Sequence, residues 1–97
     1  MATVIWSEDA LCGVEDIYDW IAADRPRAAD AFAQAILDAG NSLETLPERG
    51  RPAAGGLREL TFVRPCIISY RYEPTIDRVT IVAVWHGARF GPPPTRR

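Results

Sequence analysis

Residues 57–89, LRELTFVRPCIISYRYEPTIDRVTIVAVWHGAR, most restrict what this 97-residue chain can fold into. Cys66 to Glu73 and Arg78 to His86 are rich in Ile, Val, Tyr and Trp, residue types that suit a pleated, half-buried surface. Pro74-Thr75-Ile76-Asp77 between them has turn chemistry, so the two runs are expected to pair as an antiparallel hairpin. Leu57 to Val63 reads as a third strand. Arg64-Pro65 breaks it from the next, because proline cannot donate to a ladder. Side chains alternate along a strand, which groups Ile68, Tyr70 and Tyr72 on one face and Ile67, Ser69 and Arg71 on the other. On the last strand the same rule sets Val79, Ile81, Ala83 and Trp85 against Thr80, Val82, Val84 and His86. The sheet then has an apolar face and a mixed face, with Arg71 and His86 as candidates for the mixed one.

The first half of the chain supplies a cover for the apolar face. Thr3 to Trp6 is a short strand, and Ser7 follows as an N-cap with Glu8 and Asp9 in the first helical turn. Ala10, Leu11, Val14, Ile17, Tyr18 and Ile21 recur at helical spacing, predicting an amphipathic helix over residues 8–23. Asp24-Arg25-Pro26 ends it, since the residue before proline avoids the helical region. Pro26 suits the first position of a second helix, whose periodic positions Ala28, Ala29, Phe32, Ala33, Ile36, Leu37, Gly40 and Leu43 run to about Leu46. The short link makes the two an antiparallel hairpin. Its apolar stripe is expected to lie on the sheet and bury Ile17, Ile21, Phe32, Ile36, Leu43, Tyr70 and Ile81. The predicted fold class is therefore α+β, in the order β-α-α-β-β-β, with an antiparallel sheet packed on a two-helix hairpin. Residues 47–56, PERGRPAAGG, read as a loop. Residues 1–90 form one domain and residues 91–97, GPPPTRR, a flexible Pro/Arg tail.

Several function classes are set aside. No apolar run approaches the ~20 residues that span a bilayer. Met1 leads into TVIW without an export-type leader, so a cytoplasmic protein with reduced Cys12 and Cys66 is expected. No His, Cys, Asp and Glu cluster has metal-ligand spacing, and neither a metal nor a cofactor is expected. Gly55-Gly56 reads as a turn, and Trp6, Trp20 and Trp85 as packing anchors rather than stacking platforms. The charge is lopsided. Residues 1–48 hold ten acidic residues and two arginines, a net of −8, and residues 49–97 hold nine arginines and three acidic residues, a net of +6. All eleven cations are arginine. The sheet half is basic and suits a nucleic acid or an acidic protein partner.

The elements in this order carry Trp6-Ser7, a first helix with DIYDWIA, an alanine-rich second helix and LETLPERGRP at its end. GLREL, CIISYRYE and VTIVAVWHGARF follow. Together they resemble the RelE/ParE superfamily of toxins from type II toxin–antitoxin modules, over about Ile5 to Phe90. The resemblance implies the α+β fold already derived and a cytoplasmic toxin neutralised by a ParD-like antitoxin encoded beside it. RelE-like members of the superfamily cleave messenger RNA on the ribosome from the open face of the sheet, whereas ParE-like members inhibit DNA gyrase.

Arg51, Arg58, Arg71, His86 and Arg89 map onto the RelE-like site. A metal-independent endoribonuclease needs a proton donor or acceptor and cations on the phosphate, and here Arg58, Arg71, His86 and Arg89 would supply them. His86 can equally be a strand-end histidine bonded to a backbone carbonyl, and Arg58 and Glu59 an ordinary salt bridge. Two departures favour the ParE-like branch. The chain has no lysine cluster, and it offers Phe90 where many RelE-like enzymes carry a terminal tyrosine. On that reading no residue is catalytic. Arg51, Arg58, Arg71, His86, Arg89 and Phe90 would contact the target, and Ile17, Ile21, Phe32 and Ile36 would take the antitoxin. The alternatives are the ribonuclease acting on ribosome-bound mRNA, and a toxin fold that has lost activity.

Overall fold

The computed structural model describes residues 1–61 and 66–87. Seven elements matter: β1 (Thr3–Trp6), α1 (Glu8–Ala22), α2 (Pro26–Asn41), β2 (Arg51–Pro52), β3 (Arg58–Leu60), β4 (Cys66–Glu73) and β5 (Arg78–His86). The sheet order is β1-β5-β4-β3-β2. β4 and β5 pair antiparallel over the whole expected hairpin, and β3 joins β4 antiparallel. A turn of 3₁₀ helix, Pro74–Ile76, connects β4 to β5, and Asp77 closes it in the left-handed region at φ 49°. Aspartate tolerates that backbone better than most residues, and Asp77 also accepts a hydrogen bond from the Tyr72 hydroxyl at 3.1 Å.

Two features depart from the expected sheet. β1 runs parallel to β5, which makes the sheet mixed and makes β5 an interior strand between β1 and β4. A parallel neighbour needs a long crossover, and the helix hairpin begins that return path. The segment read wholly as a loop contains β2, a two-residue edge strand paired to β3. Pro52 is acceptable there because an edge residue has no ladder partner on its outer side. The proposed tail, residues 91–97, lies outside the described residues, as do Phe62 to Pro65.

The helices form for the reasons read from their sequence. The Ser7 side chain accepts from the Ala10 N–H at 3.0 Å, the N-cap bond, and Glu8 and Asp9 occupy the first turn. α1 stops at Ala22, where the Asp24 and Arg25 N–H groups both donate to the Ile21 carbonyl. α2 opens on Pro26 and ends in a short 3₁₀ turn, Ser42–Glu44, rather than continuing to Leu46. Tyr18 on α1 donates to Asp30 on α2 at 2.6 Å, and this bond raises the pKa of the phenol. Ile17, Phe32, Ile36, Leu43, Tyr70 and Ile81 are buried in one core with Ile68, Val79 and Val84, and Ile21 packs half-buried against it. No described helix is long and apolar enough to cross a membrane.

α1 lies directly on β5. A Cβ added to Gly13 would sit 2.1 Å from the Val84 carbonyl oxygen, so the helix backbone approaches the strand backbone with no room for a side chain. Glycine within a helix costs about 1 kcal/mol relative to alanine, and the close approach offsets that cost. Gly13→Ala should therefore destabilise the protein despite its better helix propensity, by about 1–3 kcal/mol of overpacking. Thermal unfolding followed by circular dichroism should show Tm lower by at least about 4 °C. An unchanged or higher Tm would mean that α1 does not sit this close to β5.

Candidate functional site

The face of the sheet without helices is built by register. Arg51 pairs with Glu59, Glu59 with Ser69, Ser69 with Ala83, Arg71 with Thr80, and Glu73 with Arg78. Ile67 and Trp85 share this face at one end, and Thr3 and Ile5 of β1 complete it. Two of its arginines have carboxylates opposite them: Arg51 to Glu59 at 3.6 Å and Arg78 to Glu73 at 3.5 Å. Arg71 is exposed and stands across from Thr80.

A β-bulge decides which side chains reach this face. Ser69 pairs with Ala83 but Tyr70 pairs with Ile81, so Val82 is an extra residue on β5. Val79 and Ile81 before the bulge, and Val84 and His86 after it, consequently point toward the helices. Strict alternation had placed Trp85 inside and His86 outside, and the structure reverses both. The Trp85 indole N–H donates to the Ser69 hydroxyl at 3.1 Å, and Ser69 is only 7% exposed on a face that no helix covers. His86 is 9% exposed, and the Trp20 ring of α1 meets it edge-on, with centroids 5.2 Å apart and planes at 81°. Its cross-strand neighbour is Cys66, whose thiol pKa is raised by burial.

Arg58 also faces the helix side, in register with Tyr70. Its Nη1 donates to the Gly50 carbonyl at 2.7 Å and to the Glu48 carbonyl at 3.2 Å. The Gly50 N–H donates to the Tyr70 hydroxyl at 2.9 Å, and a Cβ at Gly50 would lie 2.8 Å from that ring. Arg58 and Tyr70 thus clamp the segment leading into β2, holding Gly50 by its carbonyl and its N–H. Burial raises the Tyr70 pKa, and the Gly50 N–H and the nearby Arg58 and Arg49 oppose part of that rise.

The residues read as contacting the target, which include all those mapped to a ribonuclease site, are therefore divided. Arg51 and Arg71 lie on the open face, Arg58 and His86 lie on the helix side, and Arg89 and Phe90 fall outside the described residues. Of the four residues read as an antitoxin contact, Ile17, Phe32 and Ile36 are core and only Ile21 is half-buried. Solvent-exposed apolar side chains lie elsewhere: Leu11, Trp20 and Leu37 on the helices and Ile5 on β1. Sequence reasoning missed Trp85 as an open-face residue. VTIVAVW is apolar at every position but one, so its pattern hides a phase slip. Gly13 in mid-helix was the available signal of a close helix–strand contact.

The family described as "ParE toxin of type II toxin-antitoxin system, parDE" matches residues 4–90. The chain belongs to that family. A Caulobacter vibrioides protein named Toxin RelE2 is 42% identical over 89 residues, covering 92% of this chain and 99% of the relative. The chain is thus a type II toxin–antitoxin toxin of the RelE/ParE superfamily. The fold is also that of a solved chain from the "Chromosomal ParDE TA system from P. aeruginosa", with a TM-score of 0.78. That alignment covers 89% of this chain and 96% of the other at 24% identity.

The division of the arginines gives a direct test on this ParE-family chain. Arg58→Ala should lose the charge-assisted bonds to two backbone carbonyls, costing about 1.5–3 kcal/mol. Arg71→Ala, on an exposed side chain, should change stability by less than ~0.5 kcal/mol. Urea denaturation of both variants measures the difference. Equal effects would contradict the placement of Arg58 on the helix side.

Proposed function

We propose that this toxin is ParE-like in action: it inhibits DNA gyrase without catalysing a reaction of its own, and a ParD-like antitoxin neutralises it. The observation that carries the reading is the position of His86 and Arg58. A metal-independent ribonuclease needs its acid or base and its phosphate-binding cations on one face of the protein, converging on a single scissile phosphate. Here the histidine lies under Trp20, and Arg58 is engaged with the Gly50 and Glu48 carbonyls. Arg71 and Arg51 lie across the sheet from them. The family match to a parDE toxin agrees with this reading. The open face, with Arg51, Arg71 and Trp85, is then the surface offered to the target, together with the chain beyond Gly87.

The relative named RelE2 keeps the ribonuclease as the second reading. Purified toxin added to gyrase with supercoiled plasmid, and separately to ribosomes translating a defined message, distinguishes the two. Loss of supercoiling activity with accumulation of double-strand breaks, and an intact message, is expected. A protein truncated before Arg89 should lose this effect, because the ParE-like reading gives the chain end a role at the target. Cleavage of the message with unaffected gyrase would establish the ribonuclease instead. Silence in both assays would identify a toxin fold that has lost its activity.

A further inference from the structure

A basic sequence half suits either a nucleic acid or an acidic protein, and the open face of the sheet separates the two. Three strand arginines lie on this face, and two are already opposed by carboxylates: Arg51 by Glu59 at 3.6 Å and Arg78 by Glu73 at 3.5 Å. Arg71 is exposed and stands across from Thr80, and among the described residues it makes no ion pair or hydrogen bond. One cation is thus left for a partner. A nucleic-acid backbone is held by several cations at once. Here it would meet the Glu59 and Glu73 carboxylates between the few arginines that could hold it.

Apolar surface flanks the free cation. The Trp85 ring is half-buried on this face with Ile67 paired opposite it. Its indole N–H already donates to the Ser69 hydroxyl at 3.1 Å, so the ring is held in place and needs no polar partner. Ile67 and Arg71 are four residues apart on one strand, which sets Trp85 and Arg71 about 13 Å apart along the sheet. Small side chains, Ser69, Ala83 and Thr80, lie between them. On the other side Ile5, 40% exposed, is in register with Thr80, about 10 Å from Arg71 across two strand spacings.

We propose that the open face grips a protein segment of the target rather than nucleic acid, with Trp85 as apolar anchor and Arg71 paired to a carboxylate. The inference rests on the gyrase reading above and adds which component is held and by which residues. An extended segment covers the distance from Trp85 to Arg71 in four residues, so one short acidic stretch with an apolar side chain meets both. Tryptophan and arginine dominate protein–protein contacts, and a ring fixed before binding loses little freedom in the complex. Arg71 can take a carboxylate with two parallel hydrogen bonds.

The test measures binding of full-length toxin to gyrase holoenzyme without DNA, and separately to duplex DNA alone. Wild-type toxin should bind the DNA-free enzyme and lose less than about tenfold in affinity between about 50 and 200 mM salt. A grip on six or more phosphates would lose about 10³-fold or more over that range. Trp85→Ala should weaken binding on the order of 30-fold, whereas Trp85→Phe should retain most of it. Arg71→Glu, on an exposed side chain that leaves the core untouched, should weaken it at least about tenfold. Melting curves establish that each variant is folded, and Arg71→Glu decides the matter if Trp85→Ala is not. Wild-type toxin that does not bind gyrase with or without DNA would overturn the gyrase reading and this inference with it. Tight binding left unchanged by Arg71→Glu and Trp85→Ala would overturn the open-face contact alone. Binding that requires DNA, or binding to duplex DNA alone that Arg71→Glu abolishes, would overturn the protein character of the partner.

Discussion

The contact between the start of α1 and the centre of β5 sets most of the molecule. The Ser7 hydroxyl accepts from the Ala10 N–H to begin the helix and donates to the Val82 carbonyl at 2.9 Å. The Ser7 N–H donates to the Ile81 carbonyl, so the end of β1 is held at the same point. A bulge frees a carbonyl from the ladder, and an unpaired buried carbonyl is costly. One serine thus caps the helix and satisfies the strand. Two residues along β5, the Val84 backbone lies under Gly13. The helix can rest there only because the bulge has turned Val84 rather than Trp85 toward it.

Much of this architecture was legible from residue types. β4 and β5 were bounded correctly because Ile, Val, Tyr and Trp fill both runs and Pro74–Asp77 separates them. The helix hairpin followed from Ser7, Pro26 and the periodic apolar positions, and the core residues Ile17, Ile36 and Tyr70 from the two periodicities together. The candidate site was less legible for one reason. A bulge inverts every side chain beyond it, and in VTIVAVW either phase gives a plausible apolar face. His86 was therefore aligned with Arg71 by counting, although the extra residue Val82 shifts the count. The pairing of β1 with β5 was illegible for a related reason, since a four-residue strand does not specify its neighbour.

The two faces now have different chemistry. The open face carries Arg51, Arg71 and Arg78 against Glu59 and Glu73, with the Trp85 indole across Ser69 at its end. The helical face carries Glu8, Glu15 and Asp38 around two exposed leucines. Among the described residues, Arg51, Arg71 and Arg78 thus lie on the side of the sheet opposite the acidic rim of the helices. The two sides therefore offer different charge to a partner, with electrostatics contributing more to orientation and encounter rate than to affinity.

The central claim is that the bulge turns His86 beneath α1 and away from Arg71. Nuclear Overhauser contacts from the imidazole protons of the single histidine measure this directly, because the chain has no other histidine to confuse the assignment. The account predicts strong contacts to the Trp20 indole ring, which lies 5.2 Å away between centroids, and none to Arg71 or Thr80. Contacts from His86 to the Arg71 side chain, with Trp85 packed against α1, would contradict it.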